Sequence, residues 1–258
     1  MQNYSLQRLL YKRPHTTVYK VKSLIDNNNY IAKIQCSYRE KYLYYYNNEI
    51  NCLKLLKSHI NIVRFKEAFE EKNFGYIIEE YCENGDLYNL SHTKDFTKYE
   101  VNNIIKQILT ALVYCNANNV IMGDIKPGNI LIGANNTYKL CDFGFSQISD
   151  CVYTGVYARA GTPLYMAPEV IKGDYGNICD MYSIGVMAHY LLTKKYPYFD
   201  SALKDIHTML KANVNREHNI LQKQLSEEAY DFILQCMAQP YQRLTLYKAL
   251  EHPFIKIL

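Results

Sequence analysis

The sequence lacks most signatures of metal-binding, secreted and membrane proteins. It contains no tryptophan, no Cys-x-x-Cys pair and no His-Glu-x-x-His, so its eight cysteines predict neither a zinc site nor a disulfide framework. No apolar run approaches the roughly 18 residues of a membrane span, and residues 1–11 lack the apolar core of a secretion signal. We therefore expect a protein with reduced thiols in the cytoplasm, with the nucleus not excluded.

Charge of either sign is scarce and nearly balanced. The 29 Lys and Arg residues against 25 Asp and Glu residues give a net charge of +4, and the dense basic stretches are dipeptides such as Lys194-Lys195. Nucleic acids and anionic membranes are bound by clustered basic patches, so we expect neither as a partner. A hydrophobic share of 48% over 258 residues predicts a globular protein that folds without disulfide bonds or structural metals, and we expect a monomer.

The first third of the chain predicts β-strands around one helix. Residues 17–21 and 29–34 are rich in apolar and β-branched side chains and are separated by a polar turn, which predicts two short strands. Apolar residues at helical spacing predict a helix over residues 38–57. Strand character then returns in residues 63–69 and 74–81.

After a turn sequence at residues 83–86 the pattern becomes helical. Thr97 and Glu100 form a capping box before an apolar face, and Ser226 opens a second amphipathic helix. The apolar face after the capping box consists of Val101, Ile104, Ile105, Ile108 and Leu112. We predict an α+β fold with a β-rich lobe over residues 1–82 and a mainly helical lobe over residues 83–258.

Four short motifs occur in a fixed order. Residues 31–33 are Ile-Ala-Lys, residues 122–129 are Met-Gly-Asp-Ile-Lys-Pro-Gly-Asn, residues 142–144 are Asp-Phe-Gly and residues 167–169 are Ala-Pro-Glu, with Glu49 on the first predicted helix. Each motif alone arises by chance, but the ordered set is specific. It resembles the eukaryotic protein kinase family over essentially the whole chain.

The resemblance implies a site for ATP and Mg²⁺. Because the transferred phosphoryl group is highly anionic, this chemistry depends on positioning and on stabilising charge. By the resemblance, Lys33 holds the α- and β-phosphates and is oriented by an ion pair with Glu49. Asp142 and Asn129 are the implied Mg²⁺ ligands, because this hard cation prefers oxygen.

The resemblance also implies protein substrates that carry Ser or Thr. Asp124 is the residue that would accept or orient the proton of the substrate hydroxyl group, and Lys126 would neutralise the γ-phosphoryl oxygens. The placement of Lys126 two residues after Asp124, and the sequence Gly-Thr-Pro at residues 161–163, are similar to serine/threonine rather than tyrosine kinases. Thr162 is expected to bridge Asp124 and Lys126.

Further residues are implied to hold the nucleotide. The backbones of Glu80 and Cys82 would pair with the edge of adenine, and Asp86 would contact the ribose. Three apolar residues would enclose the adenine ring: Val18, Ala32 and Leu131. For these three, ordinary core packing predicts the same residue types, and both interpretations stay open.

Three matches are structural. Glu169 and Arg243 resemble the buried ion pair that supports the segment before the Ala-Pro-Glu motif. Asp180 resembles the residue at a helix start that braces the catalytic loop. Tyr182 stands where tryptophan is usual, which predicts a packing change only.

The glycine-rich loop that covers the phosphates in this family is missing. Tyr11, Arg13 and Thr16 stand where the three glycines belong, and the first glycine in the chain is Gly75. Glycines there let the backbone approach phosphates without a β-carbon, so we expect weaker or altered nucleotide binding. Lys12 and Arg13 could supply charge instead, or could simply be exposed at a hairpin tip.

Two further departures concern regulation and the back of the adenine site. Met122-Gly123 replaces the usual His-Arg, which predicts activity that does not depend on phosphorylation around Tyr153, Thr154 and Tyr157. Glu79 stands where an apolar residue or threonine is usual. A buried carboxylate there needs a partner, and Lys33 is the nearest plausible one. The alternative is a shifted register that places Glu79 in solvent.

The sequence thus predicts an ATP- and Mg²⁺-dependent protein serine/threonine kinase. A catalytically weak or inactive relative that serves as a binding or allosteric scaffold is the main alternative, because the glycines are lost. A kinase-like enzyme that acts on small molecules is a third alternative. Residues 161–169, which resemble a peptide-docking segment, argue against it.

Overall fold

The computed structural model describes residues 1–36, 40–148, 161–173, 176, 178–198, 211, 213–215 and 218–256. A small antiparallel sheet with one helix is followed by a mainly helical part, which confirms the predicted two-lobed fold. Within the described residues, no helix is both long and apolar enough to cross a membrane. Six cysteines of the described residues are free thiols: Cys52, Cys82, Cys115, Cys141, Cys179 and Cys236.

The first lobe is a five-stranded antiparallel sheet with the order β1-β2-β3-β5-β4. Its strands are β1 (Tyr4–Arg13), β2 (Thr16–Ser23), β3 (Asn29–Cys36), β4 (Phe65–Glu71) and β5 (Phe74–Glu80), and helix α1 (Glu40–Leu55) connects β3 to β4. The predicted strands and helix are present. However, β4 begins two residues later than predicted, because the amide of Val63 donates to the carbonyl of Leu140 in the second lobe, at 2.9 Å.

The pleat of the sheet separates two environments. Residues directly opposite each other in a ladder share a face. Val18 lies opposite Lys33, Lys33 opposite Ile77, and Ile31 opposite Glu79, so these five residues define one face, called here the inner face. The alternate positions form a separate buried group on the other side, called the outer cluster: Tyr4, Val21, Ala32 and Ile78.

The second lobe is built around α3 (Lys98–Ala117). The hydroxyl of Thr97 accepts from the amide of Glu100 at 3.2 Å, and the carboxylate of Glu100 accepts from the amide of Thr97 at 2.9 Å. Such a cap contributes about 1 kcal/mol. The apolar face predicted for this helix is buried throughout. The other α-helices among the described residues are α2 (Leu87–Thr93), α4 (Pro168–Lys172), α5 (Cys179–Thr193), α6 (Glu227–Cys236), α7 (Leu246–Leu250) and α8 (Pro253–Lys256).

Two short ladders bring two motifs of the second lobe, residues 122–129 and 142–144, side by side. β6 (Val120–Ile121) pairs with β9 (Gln147–Ile148), and β7 (Ile130–Ile132) pairs with β8 (Tyr138–Leu140). The loops at residues 122–129 and 141–146 are therefore adjacent, and Ser146 donates from its hydroxyl to the carbonyl of Met122 at 3.0 Å. The segment 81–86, where the sequence places the lobe boundary, joins β5 to α2.

Candidate active site

The centre of the candidate site is an ion cluster between the lobes. Lys33 on β3 places its ammonium 2.8 Å from both carboxylate oxygens of Glu49 on α1 and 2.7 Å from Oδ1 of Asp142. The side chain of Glu49 is fully buried and that of Lys33 is 13% exposed. The structure thus brings together three of the residues that the sequence singled out from positions far apart in the chain.

The electrostatics of this cluster keep Lys33 charged. Burial alone would lower the pKa of Lys33, but Asp142 and Glu49 outweigh it and hold the pKa of Lys33 well above its usual range. For Asp142, burial would raise the pKa, and the positive charge of Lys33 lowers it. The cluster is therefore a fixed positive charge held between two carboxylates, one of which faces the cleft.

Two neighbours that the sequence analysis missed stabilise the cluster. Gln35, two residues after Lys33 on the inner face, donates to Glu49 at 3.1 Å. Asn48, beside Glu49 on α1, donates through Nδ2 to the carbonyls of Phe143, Gly144 and Ser146 at 3.3, 3.1 and 2.7 Å. The two-residue period of β3 could have identified Gln35, whereas the contacts of Asn48 depend on tertiary structure.

A second cluster surrounds Asp124, which is 3% exposed. Its Oδ2 accepts from the ammonium of Lys126 at 2.6 Å and from Nδ2 of Asn129 at 2.9 Å. Its Oδ1 accepts from the amide of Thr162 at 2.8 Å, and Lys126 also donates to the hydroxyl of Thr162 at 2.6 Å. Thr162 thus connects Asp124 and Lys126 as expected. Hydrogen bonds to both oxygens hold the carboxylate of Asp124 in one orientation.

The donor set fits a hard divalent cation. Because Nδ2 of Asn129 is used by the backbone and side chain of Asp124, its amide is oriented so that Oδ1 is left to accept. Asp142 offers a carboxylate whose side chain is 39% exposed. Asp142 adopts φ 64° and ψ 72°, a left-handed conformation that non-glycine residues rarely use and that is found at functional sites.

The backbone before Asp124 is braced from α5. The amides of Met122 and Gly123 donate to the carboxylate of Asp180 at 3.0 and 2.8 Å. Burial raises the pKa of Asp180 to about 6, and these two hydrogen bonds oppose the shift. Gly123 has φ 76°, a left-handed conformation that glycine adopts without the steric strain of a β-carbon. Glycine in place of the usual arginine therefore lowers the conformational strain at this position.

The predicted adenine-facing set needs one correction. Val18 is on the inner face with Lys33, as expected, and Leu131 forms a bridge with Asp86 beside the segment 81–86. Ala32 is fully buried in the outer cluster, because adjacent residues of a strand point to opposite faces. Its assignment to the adenine site was wrong, and Ile31 occupies the corresponding place on the inner face.

The segment after β5 has specific contacts. The side chain of Glu80 turns towards β4: it accepts from the amide of Arg64 at 2.8 Å and pairs with Lys139 at 2.8 Å. Cys82 is 8% exposed. Asp86 caps α2 by accepting from the amide of Asn89 at 2.8 Å, which is a sufficient structural reason for an aspartate there. Its contact with a ribose stays a prediction.

The β1–β2 hairpin replaces the glycine-rich loop. Its tip is a two-residue turn after Arg13, and Lys12 and Arg13 are both exposed. Arg13 lies opposite Thr16, on the inner face, whereas Lys12 lies on the other face. Of these two residues, Arg13 is the one on the face that carries Lys33. The turn is also held to α1, because His15 stacks on Tyr42 with ring centroids 4.1 Å apart.

Glu79 lies on the inner face and is 6% exposed, so the interpretation that places it in solvent was wrong. Lys33 is not its hydrogen-bonding partner either, since the ammonium is directed at Glu49 and Asp142. Burial, followed by the charge of Glu49, raises the pKa of Glu79 to about 8. One of its oxygens, Oε1, is buried without a hydrogen-bonding partner.

This raised pKa predicts a pH-dependent cost of Glu79. The pKa of Glu79 is about 4.5 in the unfolded chain and about 8 in the folded protein. Between these pH values the folded protein binds more protons than the unfolded chain, so the free energy of unfolding falls as the pH rises. The slope is at most about 1.4 kcal/mol per pH unit. We expect Glu79→Gln to gain stability relative to the native chain between pH 5 and pH 8 in urea unfolding. A difference that is the same at both pH values would contradict the assignment.

Comparison with known proteins agrees with this geometry. The protein kinase domain family matches residues 14–255. Calcium/calmodulin-dependent protein kinase type 1 of Caenorhabditis briggsae is 35% identical over 215 residues, covering 81% of this chain and 59% of that protein. Calcium-dependent protein kinase 24 of Arabidopsis thaliana is 34% identical over 219 residues, covering 81% and 36%. Calcium/calmodulin-dependent protein kinase type I of Schizosaccharomyces pombe is 31% identical over 261 aligned positions, covering 98% and 78%.

The chain therefore spans less than two thirds of the first two relatives. The family match extends over nearly all of the chain, and the small antiparallel lobe, the helical lobe and the ion cluster between them agree with it. Protein kinases use ATP and Mg²⁺ as their standard cofactors. The chain belongs to the protein kinase family.

Proposed function

We propose that this chain transfers the γ-phosphoryl group of ATP to Ser or Thr hydroxyl groups of proteins. The observation that carries the proposal is the pairing of Lys33 with both Glu49 and Asp142, each within 2.8 Å. Replacement of such an ion cluster by apolar residues is often neutral or stabilising, so its presence favours a functional role.

The nucleotide would be held by charge. The ammonium of Lys33 would interact with the α- and β-phosphates, with Glu49 fixing its position. Asp142 and Oδ1 of Asn129 would hold Mg²⁺, which would neutralise the triphosphate when bound. Arg13 on the inner face of the hairpin would add a positive charge where glycine amides are missing. The backbones of Glu80 and Cys82 would pair with adenine, between Val18, Ile31 and Leu131.

The substrate hydroxyl group would be directed by Asp124. Three donors, from Thr162, Lys126 and Asn129, fix the plane of its carboxylate. A hydroxyl group that donates to this carboxylate would be oriented towards the γ-phosphate. Its proton would have an acceptor as the new P–O bond forms, while the bond from the γ-phosphorus to the bridging oxygen breaks and ADP leaves. Lys126 lies between Asp124 and Thr162 and would stabilise the charge on the transferred group.

The scaffold alternative is favoured by one observation, the hairpin without glycines. Tyr11 occupies the place of the first glycine and is 44% exposed, and its ring lies 5.2 Å from the guanidinium carbon of Arg13. Side chains there could keep the backbone away from the phosphates. Such a protein would bind partners through the same fold with little turnover.

The two functions are distinguished by incubating the chain with γ-labelled ATP, Mg²⁺ and a generic protein substrate. Labelled phosphoserine or phosphothreonine that forms with Mg²⁺, and does not form when EDTA is present from the start, supports the kinase. Nucleotide binding in calorimetry, with no label above the background of a sample without the chain, supports the scaffold. The same calorimetry with and without Mg²⁺ reports whether the cation contributes to nucleotide binding.

Activity is expected without phosphorylation of the segment before the Gly-Thr-Pro sequence, because Gly123 offers no cation to bind a phosphate. The candidate residues Tyr153, Thr154 and Tyr157 lie outside the described part of the chain. A variant with Phe at the two tyrosines and Val at Thr154 should keep kcat within about threefold of the native chain. Loss of turnover in this variant, with the melting temperature unchanged, would show that phosphorylation is needed.

A further inference from the structure

The turn that follows Asp142 is held by one side chain from the first lobe. Asn48 on α1 donates through Nδ2 to three backbone carbonyls of this turn, those of Phe143, Gly144 and Ser146, at 3.3, 3.1 and 2.7 Å. The segment is a single 3₁₀ turn, closed by the amide of Ser146 on the carbonyl of Phe143 at 3.1 Å. The last carbonyls of a helical turn lack partners within it, so Asn48 satisfies them and fixes the turn against α1.

The backbone at Asp142 needs such support. Its φ of 64° and ψ of 72° lie in the left-handed region, which a residue with a β-carbon keeps only where the surrounding contacts impose it. A second contact comes from Tyr45, whose ring meets that of Phe145 edge to face with the centroids 5.0 Å apart. Tyr45 and Asn48 are three residues apart and so lie on one face of α1. This face of the helix holds the residues directly after Asp142.

Nucleotide binding would make this support more important. An ammonium group has three N–H donors, and Lys33 directs them at the two carboxylate oxygens of Glu49 and at Oδ1 of Asp142. In the proposed function Lys33 also contacts phosphate oxygens, so one of these hydrogen bonds must be shared or lost. The side chain of Asp142 is 39% exposed whereas that of Glu49 is fully buried, so the bond to Asp142 is the one that phosphate would weaken. Asp142 would then depend on its own backbone for its orientation.

We propose that Asn48 is a positioning residue that holds Asp142 in the orientation that binds Mg²⁺. This inference deepens the proposed function and rests on it, because it needs Mg²⁺ and a nucleotide in the cleft. It also fits the presence of Gly123 where a phosphate-binding arginine is usual, since neutral hydrogen bonds join α1 to the segment after Asp142 without an added phosphate. Because Asn48 and Glu49 are consecutive, one turn of α1 positions both Lys33 and Asp142.

The first test measures the Kd for ADP by calorimetry, with and without Mg²⁺. In Asn48→Leu, which keeps no donor, the Kd for Mg²⁺-ADP should rise by about tenfold, because the orientation of Asp142 that binds the cation is less populated. The Kd for metal-free ADP should change only a few-fold, since Lys33 and Glu49 are untouched. Asn48→Ser keeps one hydroxyl donor and should lie between the native chain and Asn48→Leu. Asn47→Leu, at an exposed position one residue earlier on α1, is the matched control and should bind as the native chain does.

The second test needs neither a nucleotide nor a metal. The amide of Ser146 donates to the carbonyl of Phe143, so its hydrogen exchange reports how often the turn opens. In Asn48→Leu this amide should exchange about tenfold faster than in the native chain, because the turn has lost its contact with α1. In Asn47→Leu it should exchange at the native rate. The amides of α3 should stay equally protected in all variants, which shows that the second lobe is folded.

The outcomes separate this inference from the proposed function. Either a native Kd for Mg²⁺-ADP or unchanged exchange at Ser146 in folded Asn48→Leu would overturn the inference and leave the proposed function standing. Equal weakening of ADP binding with and without Mg²⁺ would also overturn it, because α1 would then have lost its general packing. If Asn48→Leu does not fold, the same two measurements on Asn48→Ser decide. Absence of any effect of Mg²⁺ on ADP binding by the native chain would refute the magnesium site, and with it the proposed function.

Discussion

Substitution of Asp124 with asparagine is expected to lower kcat for phosphoryl transfer by about 10²–10⁴-fold. The side chain keeps its shape but loses its charge and its capacity to accept the hydroxyl proton. The new amide must also place an N–H₂ group near a donor, because Oδ1 faces the amide of Thr162 and Oδ2 faces Lys126 and Asn129. The nucleotide is held by other residues, so the Kd for Mg²⁺-ATP should change only a few-fold.

The measurement is a comparison of kcat and of nucleotide Kd for the native chain and Asp124→Asn. Asp95→Asn is the matched control, because this side chain is 98% exposed and pairs with Lys194, which does not contact Asp124. The control should have native kcat. Equal label transfer by native chain and Asp124→Asn, both above background, would show that another group orients the hydroxyl. Equal background from both would favour the scaffold.

Local patterns predicted the elements that depend on local physics. The capping box and the apolar spacing of α3 gave the correct helix, because its buried face is read directly from residues three and four apart. The motifs placed Lys33, Glu49 and Asp142 in one site, which the structure brings within hydrogen-bonding distance. Ala32 was assigned wrongly although the strand period was available, because adjacent residues cannot share a face.

The environment of Glu79 could not be derived from the sequence. Its burial depends on the pairing register of β3 and β5, which are separated by a helix and another strand. Its lack of a partner depends on competition: Lys33 is bound by Glu49 from α1 and by Asp142 from the second lobe. Both facts arise from long-range packing. The same holds for Asn48, whose amide reaches three carbonyls almost a hundred residues away.

Removal of Arg243 should have the largest effect on stability. Its side chain is fully buried and forms a two-pronged ion pair with Glu169 at the start of α4. It also donates to the carbonyls of Ile178, before α5, and Ala238, after α6, at 3.2 and 3.1 Å. Because one residue joins three segments, Arg243→Met leaves a mostly buried carboxylate and two carbonyls without this donor.

Breaking a buried ion pair from one side costs about 3–5 kcal/mol, so Arg243→Met should lower the melting temperature by roughly 6–20 °C. Arg8→Met, at an exposed position of β1, is the control and should change stability by less than about 0.5 kcal/mol. If the ion pair carries the effect, Glu169→Gln combined with Arg243→Met should be destabilised by less than the sum of the single variants. Additive losses in this cycle would mean that the carbonyl contacts of Arg243, rather than its pairing with Glu169, hold α4 against α5 and α6.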